Sequence, residues 1–175
     1  MIRRTLGVLT ACLLCLTLAA PASADVIRGT NKKDTLNGTN RDDRIRARDG
    51  YDQVKARAGN DVVWGGAGFD TIDGGQGEDE LHGGGGDDVI DAATADPGGD
   101  LFDQAWGDVG DDKIYVRYRD YAYGGVGSDR IEAVYPDAGM RIDCGPGHDV
   151  LIFNAAPPRA LKITGCEKVK VISAG

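Results

Sequence analysis

Cationic side chains are missing from a long central stretch: residues 58–112 hold fifteen Asp or Glu and no Lys or Arg. Nucleic acid is bound by neutralising phosphates, so a surface of this sign excludes it as a partner. Residues 28–57 reverse the balance, with nine Lys/Arg against five acids, and read as a solvated cap, not a phosphate track. Histidine is scarce too. His82 and His148 have no nucleophile at a meaningful spacing, so no catalytic constellation is present. Outside the apolar N-terminal run no C-x-x-C occurs, and the two remaining cysteines, Cys144 and Cys166, with two histidines make no tetrahedral zinc set. The longest apolar run, Leu6–Ala20, falls short of the roughly 20 residues that a membrane span requires.

That run has the grammar of an export signal. Arg3 and Arg4 form a basic start, and Pro21-Ala22-Ser23-Ala24 offers a small-residue cleavage site before Asp25. The expected compartment is therefore secreted or extracellular, with the cell surface as a variant. Cys12 and Cys15 leave with the signal, residues 1–24. Cys144 and Cys166 remain, and in an oxidising compartment they are expected to form one disulfide clamping the last repeat to the terminal segment.

What is abundant is glycine, and it is periodic. From Gly29 to Asp91 a nine-residue unit recurs seven times without insertion. Its sixth position is always Asp: Asp34, Asp43, Asp52, Asp61, Asp70, Asp79 and Asp88. Its eighth is always aliphatic: Leu36, Ile45, Val54, Val63, Ile72, Leu81 and Ile90. Three units carry Gly at the first, second and fourth positions, as in Gly65-Gly66-x-Gly68, Gly74-Gly75-x-Gly77 and Gly83-Gly84-x-Gly86. Further copies start at Gly107, Gly124 and Cys144, with Asp112, Asp129 and Asp149 in the acidic phase. A fixed period of this kind means one small unit stacked many times. A merely solvating Gly/Asp tract has no reason to hold an aliphatic in register.

The unit Gly74-Gly75-Gln76-Gly77-Glu78-Asp79-Glu80-Leu81-His82 resembles the hemolysin-type calcium-binding repeat of RTX proteins. The resemblance implies an all-β fold, a parallel β-roll in which six residues turn and three form a strand, two units completing one coil. It implies Ca2+ as the cofactor. The ligands expected on these motifs are Asp61, Asp70, Asp79 and Asp88, then Asp52, Asp112, Asp129 and Asp149, with the carbonyls of Gly66, Gly68, Gly75, Gly77, Gly84 and Gly86 completing the shell. The first two units carry Lys32 and Arg41 at the fourth position, and are expected to form a cap that binds metal weakly or not at all.

Elementary physics agrees with that implication. Stacked strands bring equivalent residues to about 4.8 Å. One aliphatic per unit is then expected to supply the entire core, and the stacked carboxylates oppose it by roughly 1 kcal/mol per contact in water. Calcium takes six to eight oxygens from carboxylates and carbonyls and reverses the balance. Folding coupled to metal binding follows.

The expected organisation is a signal over 1–24, a roll over 25–152 that is regular across 29–91 and interrupted across 92–152, and a cap strand over 153–175. Ala92–Trp106, with its Asp96-Pro97-Gly98-Gly99 turn, is expected to loop out until Gly107 resumes the pattern. Four tyrosines over residues 115–123, with Phe102 and Trp106, are read as padding of an irregular end in preference to a polysaccharide- or partner-binding face. Leu161–Ile172 is expected to cover the open C-terminal edge. A secreted, non-enzymatic calcium-binding module of structural or adhesive kind is the reading favoured over a lyase-like parallel β-helix enzyme. An ice-binding face is set aside, because pairs such as Thr35/Asn37, Arg44/Arg46 and Val62/Trp64 form no regular ladder.

Overall fold

An extended chain turns successive side chains to opposite faces, and the nine-residue unit exploits this over more than its aliphatic. The computed structural model describes residues 24–94 and 101–172; nearly all of the expected export signal and the expected turn at Asp96–Gly99 lie outside them. Among the described residues there is no helix. The strands in chain order are β1 (Asp25–Arg28), β2 (Thr35–Asn37), β3 (Asp43–Asp49), β4 (Gln53–Ala58), β5 (Val62–Ala67), β6 (Thr71–Gln76), β7 (Glu80–Gly85) and β8 (Val89–Asp91). They continue as β9 (Gln104–Val109), β10 (Lys113–Tyr118), β11 (Tyr121–Val126), β12 (Arg130–Pro136), β13 (Arg141–Asp143), β14 (Val150–Phe153), β15 (Lys162–Thr164) and β16 (Lys168–Val171).

Odd-numbered strands form one eight-stranded parallel sheet and even-numbered strands the other. The chain therefore winds through about eight coils of a β-solenoid, each strand pairing with the next but one. In the regular part the register step is 18 residues, as in Val63↔Leu81 and Ile72↔Ile90.

Nine of the sixteen strands run to six or seven residues, not three, because the first three residues of the next unit stay extended. The inward set is accordingly larger than one aliphatic per unit. Asp at the sixth position, the aliphatic at the eighth and the residue at the first, Gly or Ala in the regular coils, all face the interior. Ala47, Ala56, Ala92, Val116, Ala133 and Phe153 are buried beside Ile45, Val63, Ile72, Leu81, Ile90, Ile114 and Ile131. Two thin sheets leave little room between them, and small first-position residues let the two aliphatic rows meet.

The interruption is shorter than the sequence implies. Asp103 and Ala105 already lie in the interior rows, so the solenoid resumes before Gly107. Asp79 aligns with Asp103 and Asp88 with Asp112, steps of 24 residues where 18 is usual. The later steps, 17 and then 20 residues, are absorbed in the turns. Residues after Phe153 add a last coil, in which β15 pairs with β13 and β16 with β14. Every residue of β16 is exposed. The disulfide joins Cys144 to Cys166, Cα to Cα 5.1 Å, and ties this coil to the one before.

Candidate metal centre

The sixth-position carboxylates form two continuous ladders, one along each edge of the roll. On one edge the N–H of Asp34 donates to Oδ1 of Asp52 (2.7 Å), Asp52 to Asp70 (2.8 Å), Asp70 to Asp88 (2.8 Å) and Asp88 to Asp112 (2.7 Å). Asp112 then donates to Asp129 (2.9 Å) and Asp129 to Asp149 (2.7 Å), and the series ends where Oε2 of Glu167 accepts from Asp149 (2.6 Å). The other edge runs Asp43, Asp61, Asp79, Asp103, Asp120 by the same bond. It stops at buried Met140, which stands where the next Asp belongs. Asp103 and Asp120 are ladder members that the nonapeptide pattern does not reveal. Their signal is a bare Asp-x-Ala, since Ala105 and Ala122 replace the usual branched aliphatic.

The second carboxylate oxygen divides the units into two kinds. In the first two, the N–H of Thr30 donates to Oδ2 of Asp34 (2.5 Å) and that of Thr39 to Oδ2 of Asp43 (2.6 Å), and both Thr hydroxyls add bonds. Asp120 is closed in a related way by the N–H of Arg117 (2.6 Å), in a turn one residue short. In contrast, Oδ2 of Asp52, Asp61, Asp70, Asp88, Asp112, Asp129 and Asp149 is buried with no hydrogen-bond partner among the described residues. Each of these units has a positive φ at its second position, from 71° at Asp108 through 83° at Arg48 and 87° at Arg57 to 121° at Gly66. That conformation goes with the loss of the bond that Thr30 and Thr39 make. Arg41, at the fourth position of the second unit, pairs with Asp25 (2.9 Å).

Burying an anion without a partner costs free energy, and the carboxyls respond by holding their protons. Desolvation pushes Asp88 and Asp112 up to about 7, against a backbone hydrogen bond that pulls the other way; neighbouring carboxylates add to the rise. Asp61 and Asp129 rise to about 6 for the same reasons. Asp52, Asp70 and Asp149 are also raised, again by burial first.

The main chain supplies further oxygens at the same edges. The carbonyls of Gly66 and Gly68 lie where side chains on Gly84 and Gly86 would begin, one coil on. Gly75 and Gly77 stand in the same relation to the carbonyls of Arg57 and Gly59, so the second and fourth positions of the best units admit no Cβ. First-position glycine serves the carboxylate directly: a Cβ on Gly65 would lie 2.6 Å from Oδ2 of Asp70. No three His, Cys, Asp or Glu side chains converge among the described residues. A cation at these edges must therefore be held by carboxylates and carbonyls together, the donor set that calcium prefers.

The family model of the RTX calcium-binding nonapeptide repeat (4 copies) matches residues 22–54, 37–72 and 64–94. No curated protein and no solved structure matches the chain. The units from Gly107 onward lie beyond the matched segments, yet they extend the same carboxylate ladder.

Proposed function

Residues 22–94 belong to the RTX calcium-binding nonapeptide-repeat family, and from that premise we propose that the chain is an exported module whose coils lock when calcium occupies its edges. The observation that carries this reading is the row of buried, unpartnered Oδ2 atoms on Asp52, Asp70, Asp88, Asp112, Asp129 and Asp149 along one edge. Asp61 offers the same arrangement on the other edge, and Asp79 belongs to the same ladder there. Calcium would supply the positive charge these carboxylates lack and accept oxygens from the second- and fourth-position carbonyls. An ion at such an edge would join neighbouring coils, because the carboxylates of one ladder come from successive turns.

Asp34, Asp43 and Asp120 are left out of the ligand set, since main-chain N–H groups already satisfy their second oxygens. The first two units, one coil, then act as a metal-free cap. Export provides the setting: extracellular modules bind calcium with constants of about 10⁻⁴–10⁻³ M, so the fold would set after leaving the cell. We assign the molecule a structural or adhesive role without turnover.

Isothermal titration with calcium, read beside far-UV circular dichroism in EGTA, tests the proposal. Asp70→Ala with Asp88→Ala should remove ions from one edge and raise the calcium midpoint. Asp34→Ala with Asp43→Ala should leave ion number unchanged. Equal losses from the two pairs would defeat the assignment, and a β spectrum indifferent to EGTA would defeat the coupling.

A further inference from the structure

The outer face of the odd-strand sheet carries a second ladder, of rings. Arg46, Trp64, His82, Trp106 and Tyr123 occupy one register row. The Arg46 guanidinium lies 4.8 Å from the Trp64 ring centre. Trp64 and His82 follow at 6.3 Å, His82 and Trp106 at 4.5 Å, and Trp106 and Tyr123 at 5.3 Å, with interplanar angles of 9°, 5° and 7°. Rings this parallel spend their faces on one another and turn only edges to solvent, so the row as a whole is no stacking platform for a ligand.

Its C-terminal end is different. The next rung is Asp143 and the one after it Thr164, neither of which has a ring to lay on Tyr123. A cavity of about 250 Å³ lies there, lined by Tyr123, Arg141, Asp143, Lys162 and Thr164 with buried Ile142. Arg141 is braced, its guanidinium 5.4 Å from the centre of the Tyr121 ring. Asp143 gives one oxygen to the N–H of Gly145 (3.3 Å) and keeps capacity to accept from a hydroxyl. The wall thus offers an aromatic residue at the end of its stack, two cations against one carboxylate, and hydroxyl-matching groups. A volume this small suits a single ring, since pockets for drug-sized ligands start at roughly 300 Å³.

We propose that this cavity binds a hydroxylated six-membered ring bearing one carboxylate: the ring continues the stack on Tyr123, and the carboxylate meets Arg141 and Lys162. A phosphate dianion fits less well, because Asp143 leaves a local surplus of one positive charge. The shared chemistry has two sources, a uronic acid residue of a polysaccharide, which stacks through C–H bonds, and a flat hydroxybenzoate. The site uses none of the residues assigned to calcium, so either reading can fail without the other.

The calcium-loaded chain is titrated by calorimetry with glucuronate, 4-hydroxybenzoate, methyl glucoside and acetate. One of the two ring acids should bind in the millimolar range, and whichever wins identifies the source. Tyr123→Ala and Arg141→Gln should each weaken it at least about tenfold. Asp143→Trp keeps the row intact, lays an indole over Tyr123 and should abolish binding, which covers the case that Tyr123→Ala misfolds. The proposal is overturned if neither ring acid binds at about 20 mM, some 2.3 kcal/mol at best. It is overturned equally if acetate or methyl glucoside matches the ring acids, or if Asp143→Trp binds as the parent does.

Discussion

Whether a carboxylate at the sixth position is open or closed depends on the residue four places before it. Thr30 and Thr39 keep ordinary φ and donate their N–H to the acid; Arg48 and Arg57 have turned over and do not. A side chain with a Cβ at φ of 83–87° is strained by about 1–2 kcal/mol. Arg57→Gly should therefore stabilise the calcium-loaded fold by about 1 kcal/mol, measured as a shift in its denaturant midpoint. Gly75→Ala should do the reverse and more, because φ there is 93° and the Arg57 carbonyl already fills the space. A neutral Gly75→Ala would mean that the turn does not pack as described. The sixth-position Asp and the eighth-position aliphatic were legible in the sequence because both are inward positions that tolerate little else. The closure by Thr30 and Thr39 was not legible, since it depends on which way one peptide faces. Asp103 and Asp120 escaped because Ala105 and Ala122 bury too little to register as the aliphatic phase.

At the scale of the edge, the open carboxylates act together and couple the fold to pH. Their ordinary value in an unfolded chain is 3.8, and in the metal-free fold Asp88 and Asp112 lie at about 7, Asp61 and Asp129 at about 6. The fold then holds protons that the unfolded chain releases. Its stability is fullest below about pH 4 and is lost as pH rises through 6 and 7. Acid and calcium should consequently substitute for each other. In EGTA, circular dichroism should report gain of β structure as pH falls from 8 to 4.5. Over the same descent the folded chain should bind calcium more weakly, because protons and metal compete for the same oxygens. An EGTA sample that unfolds on acidification would place the controlling groups elsewhere. The ring stack on the odd-strand face belongs to this scale too. His82 lies between two indoles, with Nε2 3.2 Å from Glu80 and Nδ1 3.4 Å from Asp108. Aromatic pairs contribute about 0.5–1.5 kcal/mol beyond their burial. Trp106→Ala breaks two such contacts and should raise the calcium midpoint although no ligand is touched. An unchanged midpoint would show that the stack adds nothing to coil register.

For the whole molecule, stability is close to a sum over neighbouring coils, so the ends decide where unfolding starts. The N-terminal coil carries its own closures at Thr30 and Thr39 and the Arg41–Asp25 ion pair. The C-terminal coil has much less. Leu161 and Ile163 are only partly buried, Val169, Val171 and Ile172 are about half exposed, and Glu167 ends the ladder in place of an Asp. Its main anchor is the bond from Cys144 to Cys166, which closes a separation of 22 residues and is worth about 3 kcal/mol on loop entropy. A coil with so little packing cannot offset that loss from within. Reducing the disulfide, or replacing Cys144 and Cys166 by Ser, should therefore free Leu161–Ile172 while the inner coils stay folded. Hydrogen exchange in calcium would register this as lost protection over β15 and β16, with the amides of Val63, Ile72 and Leu81 unchanged. Loss of protection throughout would instead mean that the last coil supports the entire stack. In that case the edge-bound metal alone would not hold the inner coils, whose carboxylate ladder runs unbroken from Asp34 to Asp149.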